Sequence, residues 1–297
     1  LATVTLLEQI INESDNATVI VLCERVRSCG RLLSRALPQQ LSAANMTRRV
    51  LRALRDEARA DGAGASLQRL VLAAPRTHTR AQIAEELREP VREHIAELRT
   101  ELETTAATIS AQAKEHIQAD EMILTYGADK LTERFLRSAK RYRLLLVEDS
   151  DTAASHAMAA RLSAGGVPVT VLGSAGACAV MSRVHKVVVR VRAALAGGAA
   201  LGSAGLHAVA AAAKHAGVPV RTALHYTTRV CVTHTCYLIY AFEYRMAESG
   251  LAHVYAPRYD LIPADHVTLY ITNLGGSSPS YIYRLLSELY DPNDYIL

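Results

Sequence analysis

The chain has 297 residues, half of them hydrophobic and 21% charged, with 33 Lys and Arg against 29 Asp and Glu for a net charge of +4. That profile is globular, and the length suits one large or two ordinary domains with a sizeable core. A charge this mild, without a Lys/Arg tract interleaved with aromatics, does not point to nucleic acid, and no apolar run reaches the ~18 residues of a membrane span.

The sequence starts at Leu1 rather than Met, so a flexible start is expected to be missing. LATVTLLEQI lacks a basic region and leads into a charged amphipathic pattern, so no signal peptide is expected. Cys23, Cys29, Cys178, Cys231 and Cys236 form an odd, scattered set that suits a reducing, cytoplasmic compartment better than a disulfide framework. Cys231 and Cys236 have no His/Cys pair at zinc spacing, so neither a metal nor a cofactor is expected.

Residues 1–116 read as a helical domain. Leu6, Leu7, Ile10 and Ile11 mark a first short apolar face, and Val19 to Leu33 a second helix that Pro38 bars from continuing. Met46, Val50 and Leu54 repeat every four residues, with Arg48, Arg49, Arg52 and Arg55 on the other sides. Asp61 to Arg80 contains Gly62, Gly64 and Pro75 and reads mainly as loop. Ile83, Leu87, Val91, Ile95, Leu98 and Leu102 then spell a long helix that Pro90 kinks or splits. Glu93, Glu97 and Glu101 run along it as an acidic stripe, which by itself reads as a solvated face.

From 117 to 297 the rhythm changes. Apolar runs at Met122–Thr125, Leu144–Val147, Val167–Leu172, Val187–Val191, Val218–Val220 and Val267–Ile271 alternate with helical stretches at 131–140, 153–164, 175–184 and 201–215. Buried runs separated by helices predict an open, mostly parallel Rossmann-like sheet covered on both faces. The interval 221–260 has no clean period and receives no assignment.

Ligands of such sheets bind outside the carboxyl ends of the strands. Those ends carry Thr125-Tyr126-Gly127-Ala128, Glu148-Asp149-Ser150-Asp151 and Arg190-Val191-Arg192-Ala193. The acidic cluster could serve as general acid or base or bind a ribose hydroxyl. No His, Cys or Lys is visibly paired with it, and capping the next helix is the commoner use. The histidines show no metal spacing and no G-x-S-x-G supports a serine nucleophile.

Residues 271–290, ITNLGGSSPSYIYRLLSELY, pose the sharper choice. Val267–Ile271 reads as a strand, Ser278 and Pro279 as the start of a helix, and Ile282, Leu285, Leu286 and Leu289 as its apolar face. The glycines between are either a structural turn or an anion site at a helix N-terminus, built from Asn273, Gly275, Gly276, Ser277 and Ser278. With no Lys after the glycines and no G-x-G-x-x-G anywhere, neither a P-loop nor a dinucleotide fingerprint is present.

Four stretches are familiar. DLIPADHVTLYITNLGGSSPSYIYRLLSELYDPNDYIL at the C-terminal end, NMTRRVLRALRDE at 45–57, AVMSRVHKVVV at 179–189 and LHAVAAAAKHAGVPV at 206–220 resemble the alpha/beta/delta regulatory-subunit family of eukaryotic translation initiation factor 2B. The first two resemble its beta branch. That family is related to the methylthioribose-phosphate and ribose-bisphosphate isomerases, whose catalytic Cys position corresponds here to Gly127 and whose Asp position corresponds to Arg192. Their following Asn-Lys pair corresponds to Gly202 and Ser203. The groups needed for proton transfer at a sugar carbon are thus absent, and the resemblance implies a shared fold without the chemistry.

It implies a non-catalytic regulatory subunit of the guanine-nucleotide exchange factor for initiation factor 2. The delta, gamma, alpha and epsilon subunits would be its partners, and exchange activity would lie in epsilon. Glu93 and Glu97 would face the alpha subunit of the substrate factor, and Gln118, Asp120, Arg143 and Leu145 would lie at the beta–delta seam. No nucleic acid, membrane or cofactor is implied. The alternatives are a sugar-phosphate isomerase, or a pseudoenzyme that still binds a sugar phosphate or nucleotide at Gly275–Ser278.

Overall fold

The computed structural model describes residues 2–13, 19–38, 40–71, 88–223, 229–230, 245–246, 253–254, 257–295 and 297. The chain divides into two compact units, Leu1–Thr104 with Leu285–Leu297, and Thr105–Arg284.

The first unit is helical: α1 (Ala2–Asn12), α2 (Val19–Ala36), α3 (Leu41–Val71) and the start of α4 (Arg88–Ala111). Its core gathers Val4, Leu7 and Ile11 from α1, Leu22 and Val26 from α2, Met46, Val50, Leu51 and Leu54 from α3, and Val91, Ile95 and Leu98 from α4. The buried face of α1 is therefore Val4/Leu7/Ile11, while Leu6 is exposed. Gly30 of α2 meets Thr47 of α3 so closely that a Cβ on it would lie 2.4 Å from the Thr47 methyl, a contact only glycine permits.

One expectation changes here. Helix α3 continues to Val71 through Gly62 and Gly64, where a loop was expected. Each glycine costs a helix about 1 kcal/mol, but the Ala, Leu, Arg and Gln around them are strong helix formers. Pro90 lies in the first turn of α4 as described, where its missing N–H breaks no intrahelical bond. Ile83 and Leu87 lie outside the described residues.

The second unit holds a seven-stranded sheet of order β13-β12-β7-β4-β1-β2-β3. Its strands are β1 (Met122–Tyr126), β2 (Arg143–Val147), β3 (Val169–Leu172), β4 (Lys186–Arg190), β7 (Val220–Ala223), β12 (Leu269–Thr272) and β13 (Gly275–Ser277). All neighbours pair in parallel except β12 with β13. The central strands are apolar runs buried on both faces, as a covered parallel sheet requires.

Beyond the short helix α5 (Ala113–His116), the sheet is flanked by α6 (Lys130–Ser138), α7 (Thr152–Ala164), α8 (Ala177–Val180) and α9 (Leu206–His215). Phe135, Leu136, Met158 and Leu162 from these helices share a core with Ile123, Leu144, Val188 and Ile271 from the strands. No helix among the described residues is long and apolar enough to cross a membrane.

A second, four-stranded sheet escaped the sequence reading. It is built from β5 (Ala193–Leu195), β6 (Ala200–Ser203), β8 (Arg229–Val230) and β11 (Tyr259–Ile262), in the order β11-β6-β5-β8. Residues 201–203, expected to open a helix, are strand instead, and the helix starts at Leu206. From the unassigned 221–260 interval come the end of β7, all of β8, the start of β11 and a small ribbon of β9 (Arg245–Met246) with β10 (His253–Val254). Cys231 and Cys236 lie outside the described residues.

Candidate functional site

The strand order reverses direction between β1 and β4, so the crevice at their carboxyl ends is where a doubly wound sheet would hold a ligand. After β1 the chain turns through Gly127 at φ +67°, with its N–H on the Val147 carbonyl at 2.8 Å. A Cβ at this position would lie 2.4 Å from Asp149 Oδ2. Asp149 is itself held, its Oδ1 accepting from the Asp151 N–H at 3.0 Å and from Ser155 Oγ at 3.3 Å.

The neighbouring charges are committed in the same way. Asp151 caps α7 by accepting from the Ala154 N–H at 3.0 Å, and Glu148 pairs with His156. Asp129 caps α6 through the N–H groups of Leu131 and Thr132, and its other oxygen takes the Arg190 guanidinium. That ion pair links the loop after β1 to the end of β4, across the reversal point. Arg192 lies over the Tyr259 ring at 5.0 Å, a cation–π contact.

Tyr126 donates its phenolic hydrogen to the Ala204 carbonyl at 2.5 Å. Burial first, then the nearby carboxylates of Asp149 and Asp260, push its pKa up and keep that hydrogen in place. Asp260 accepts from the N–H groups of Gly205 and His207 at the start of α9. The acidic cluster Glu148–Asp151 thus closes helix starts and neighbouring turns. Gly202 and Ser203 sit in β6, paired with β11. Among the described residues no three His, Cys, Asp or Glu side chains converge as metal ligands would.

The glycine stretch has a different local structure from the expected strand–turn–helix. Gly275–Ser277 form the edge strand β13, pairing Thr272 with Gly275, Ile271 with Gly276 and Tyr270 with Ser277. Gly275 takes φ +101°, and Thr272 Oγ1 donates to its carbonyl at 3.0 Å and accepts from the Leu274 N–H at 3.2 Å. Asn273 and Leu274 are the turn between the strands. Ser278 stands at the N-cap of a 3₁₀ turn, Pro279–Tyr281, which leads into α10 (Ile282–Leu289). The Ser278 hydroxyl meets Ser280 Oγ at 2.9 Å instead of bonding a cap N–H. Ile282, Leu285 and Leu286 are the buried face of α10, as their spacing requires.

At the opposite, amino end of the sheet, Gln118, Asp120 and Arg143 come together, all exposed. Asp120 and Arg141 both adopt positive φ, +64° and +58°, and the Asp120 N–H donates to the Arg141 carbonyl at 2.6 Å. Leu145 lies two residues beyond Arg143 on the same strand face but is 8% exposed, beside Leu124 of β1. Below this edge Lys186 pairs with Glu121 at 2.6 Å, both largely buried, and Arg221 donates to His116 Nδ1 at 3.0 Å. In the helical unit, Glu93 and Glu97 are exposed on the side of α4 opposite Val91, Ile95 and Leu98. Among the described residues neither is held in an ion pair, whereas Glu101 is paired with Arg49 at 3.1 Å.

A doubly wound, mostly parallel sheet with flanking helices, carried with a helical unit, makes this an α/β protein of the Rossmann-like class. The chain belongs to the Initiation factor 2 subunit family, whose model matches residues 1–279. It is 29% identical to Translation initiation factor eIF2B subunit beta of Schizosaccharomyces pombe over 99% of this chain and 91% of that protein. The crystal structure of eIF2B beta from Chaetomium thermophilum superposes with a TM-score of 0.77 at 26% identity, covering 100% of this chain and 85% of that one. A chain of the tetrameric eIF2B-beta2-delta2 complex from the same organism superposes with a TM-score of 0.79 at 26% identity, covering 97% and 87%.

Proposed function

We propose that this chain is a non-catalytic regulatory subunit of the guanine-nucleotide exchange factor for translation initiation factor 2, acting in the cytoplasm and pairing with a delta-type subunit. The alpha, gamma and epsilon subunits are its other partners, and exchange itself belongs to epsilon. Gln118, Asp120, Arg143 and Leu145 contribute to the delta seam, and the exposed Glu93 and Glu97 meet a basic surface on the alpha subunit of initiation factor 2.

The observation that carries this reading is the set of side chains at the sheet's reversal point. Gly127 packs on Asp149 where the related isomerases place a Cys, and Arg192 stacks on Tyr259 where they place an Asp. The thiol and the carboxylate that would serve proton transfer at a sugar carbon are absent from those two positions. The match to a chain of a beta2-delta2 complex over 97% of this sequence supports the delta partner, and a clustered charged edge flanked by apolar strand residues has the composition of an interface rim.

The test is co-expression with delta and gamma partners followed by native mass spectrometry and a nucleotide-release assay with epsilon added. A defined complex that speeds release supports the proposal. A soluble homo-oligomer indifferent to those partners overturns it.

A further inference from the structure

The arginines of the 45–57 stretch have a use that no strand end or partner surface explains. Within the helical unit, α2 and α3 point arginines at the segment after α10. Asp294, whose side chain is 0% exposed, receives Arg27 of α2 at 2.9 Å and Arg55 of α3 at 2.8 Å, both on Oδ1. Arg55 also reaches Asp291 at 3.1 Å. Arg48, itself 5% exposed, donates to the backbone carbonyls of Asp294 and Tyr295, each at 3.1 Å. Asn45 holds the Arg48 guanidinium from its other side at 3.0 Å. Arg52 donates to the carbonyls of Ser287 and Glu288 near the end of α10. Leu297 packs against the helical core.

Arginine suits this task because its planar fork serves two acceptors at once. A carboxylate removed from water is tolerable only while such partners stay in place. Asp294 and Asp291 are that case, and within Asp291 the Oδ1 additionally accepts from Asn293 N and Nδ2, shaping the turn. The dependence runs both ways: Arg27 and Arg52 also have Glu24 and Asp56 on their own helices, whereas Arg55 has carboxylate partners, Asp291 and Asp294, in this segment.

We infer that Asp291–Leu297 is a fastener of the helical unit, and that α2 and α3 reach their stable packing only when this segment is seated on Arg27, Arg48 and Arg55. The consequence is that the face carrying Glu93 and Glu97, which shares the same core, is rigid only in a chain that includes the segment. A shortened chain would then keep the α/β unit and lose a firm helical one. This inference does not rest on the proposed function, because its readout is local folding.

The experiment is hydrogen exchange by mass spectrometry on the full chain, comparing wild type with Asp294→Asn and with deletion of 291–297. The expected result is roughly tenfold or greater acceleration in amides of α2 and α3, with β1, β2 and β4 unchanged. Alkylation of the half-buried Cys23, which lies among Arg27, Arg55 and Asp294, should accelerate while that of the exposed Cys178 does not. Should the deletion fail to give soluble protein, Arg55→Lys keeps the charge, removes the fork and is expected to show the same local pattern more weakly. Unchanged protection in α2 and α3, or loss spread equally over the sheet, overturns the inference.

Discussion

Gly127 sits at the reversal point of the sheet, and its geometry can be tested by one atom. The residue sits at φ +67°, and a Cβ on it would lie 2.4 Å from Asp149 Oδ2 and 3.2 Å from Asp149 Cβ. Asp149 cannot swing away freely, since it holds the Asp151 N–H and the Ser155 hydroxyl. Gly127→Ala should therefore destabilise the protein by about 1–3 kcal/mol, from the left-handed backbone and the contact together. Asp149→Ala removes the carboxylate contact but leaves the Cβ contact and the backbone, so the second substitution should recover part of the loss, a coupling of about 1 kcal/mol in a double-mutant cycle. Urea denaturation followed by tyrosine fluorescence reads both values. Gly127→Cys places a thiol at the end of β1, yet it is expected to show no turnover of sugar phosphates. Arg192, a cation held on the Tyr259 ring, supplies no carboxylate partner for that thiol.

Single elements show where the sequence was legible and where it was not. Strands β1, β2, β4 and β12 announced themselves as runs of Ile, Leu, Val and Tyr, because a strand covered on both faces must be apolar throughout. Strands β5 and β6 did not, since AAL and ALGS carry small residues with weak strand preference and owe their state to each other and to β11. Gly275–Ser277 read as a turn for the same reason: pairing with β12, rather than propensity, makes them strand. The contacts of Gly127 with Asp149 and of Arg192 with Tyr259 were not legible, because residues far apart in the chain leave no spacing to read. The arginines at 48, 52 and 55 were visible as a stripe, while their partners stand more than 230 residues away. The short helix α5 carries a prediction of its own. Burial and the Arg221 charge, with Lys186 adding and Glu115 opposing, hold the His116 pKa below its usual value, and Nδ1 accepts from Arg221. The folded state then binds fewer protons than the unfolded chain, so stability is full above about pH 6.5 and falls as pH drops below it. Melting curves from pH 7.5 to 5 should show that decline, and His116→Gln should flatten it. An unchanged slope in the variant would assign the decline to other groups.

At the scale of the whole molecule, the two proposed partner surfaces lie on different compact units, and that separation makes them independently testable. Glu93 and Glu97 project from a helix whose opposite face is core, so reversing their charge leaves the packing of Val91, Ile95 and Leu98 intact. Exposed charges at a rim mainly set association rate and its salt dependence. In the assembled exchange factor, Glu93→Lys with Glu97→Lys should slow association with initiation factor 2 roughly tenfold at low salt, with the deficit shrinking as ionic strength rises and the Debye length falls below ~8 Å. Pairing with delta should be unaffected. Arg143 starts β2 at the other candidate surface, exposed beside Asp120 and Gln118. Arg143→Glu should weaken pairing with delta and leave the intrinsic approach of initiation factor 2 to the helical face unchanged once assembly is enforced at high subunit concentration. Surface plasmon resonance on the substrate factor and native mass spectrometry on the subunit pair read the two effects separately. Crossed results, with the helix variant losing delta or the strand variant losing the substrate factor, would reassign the surfaces, and no effect from either would remove both from the interface.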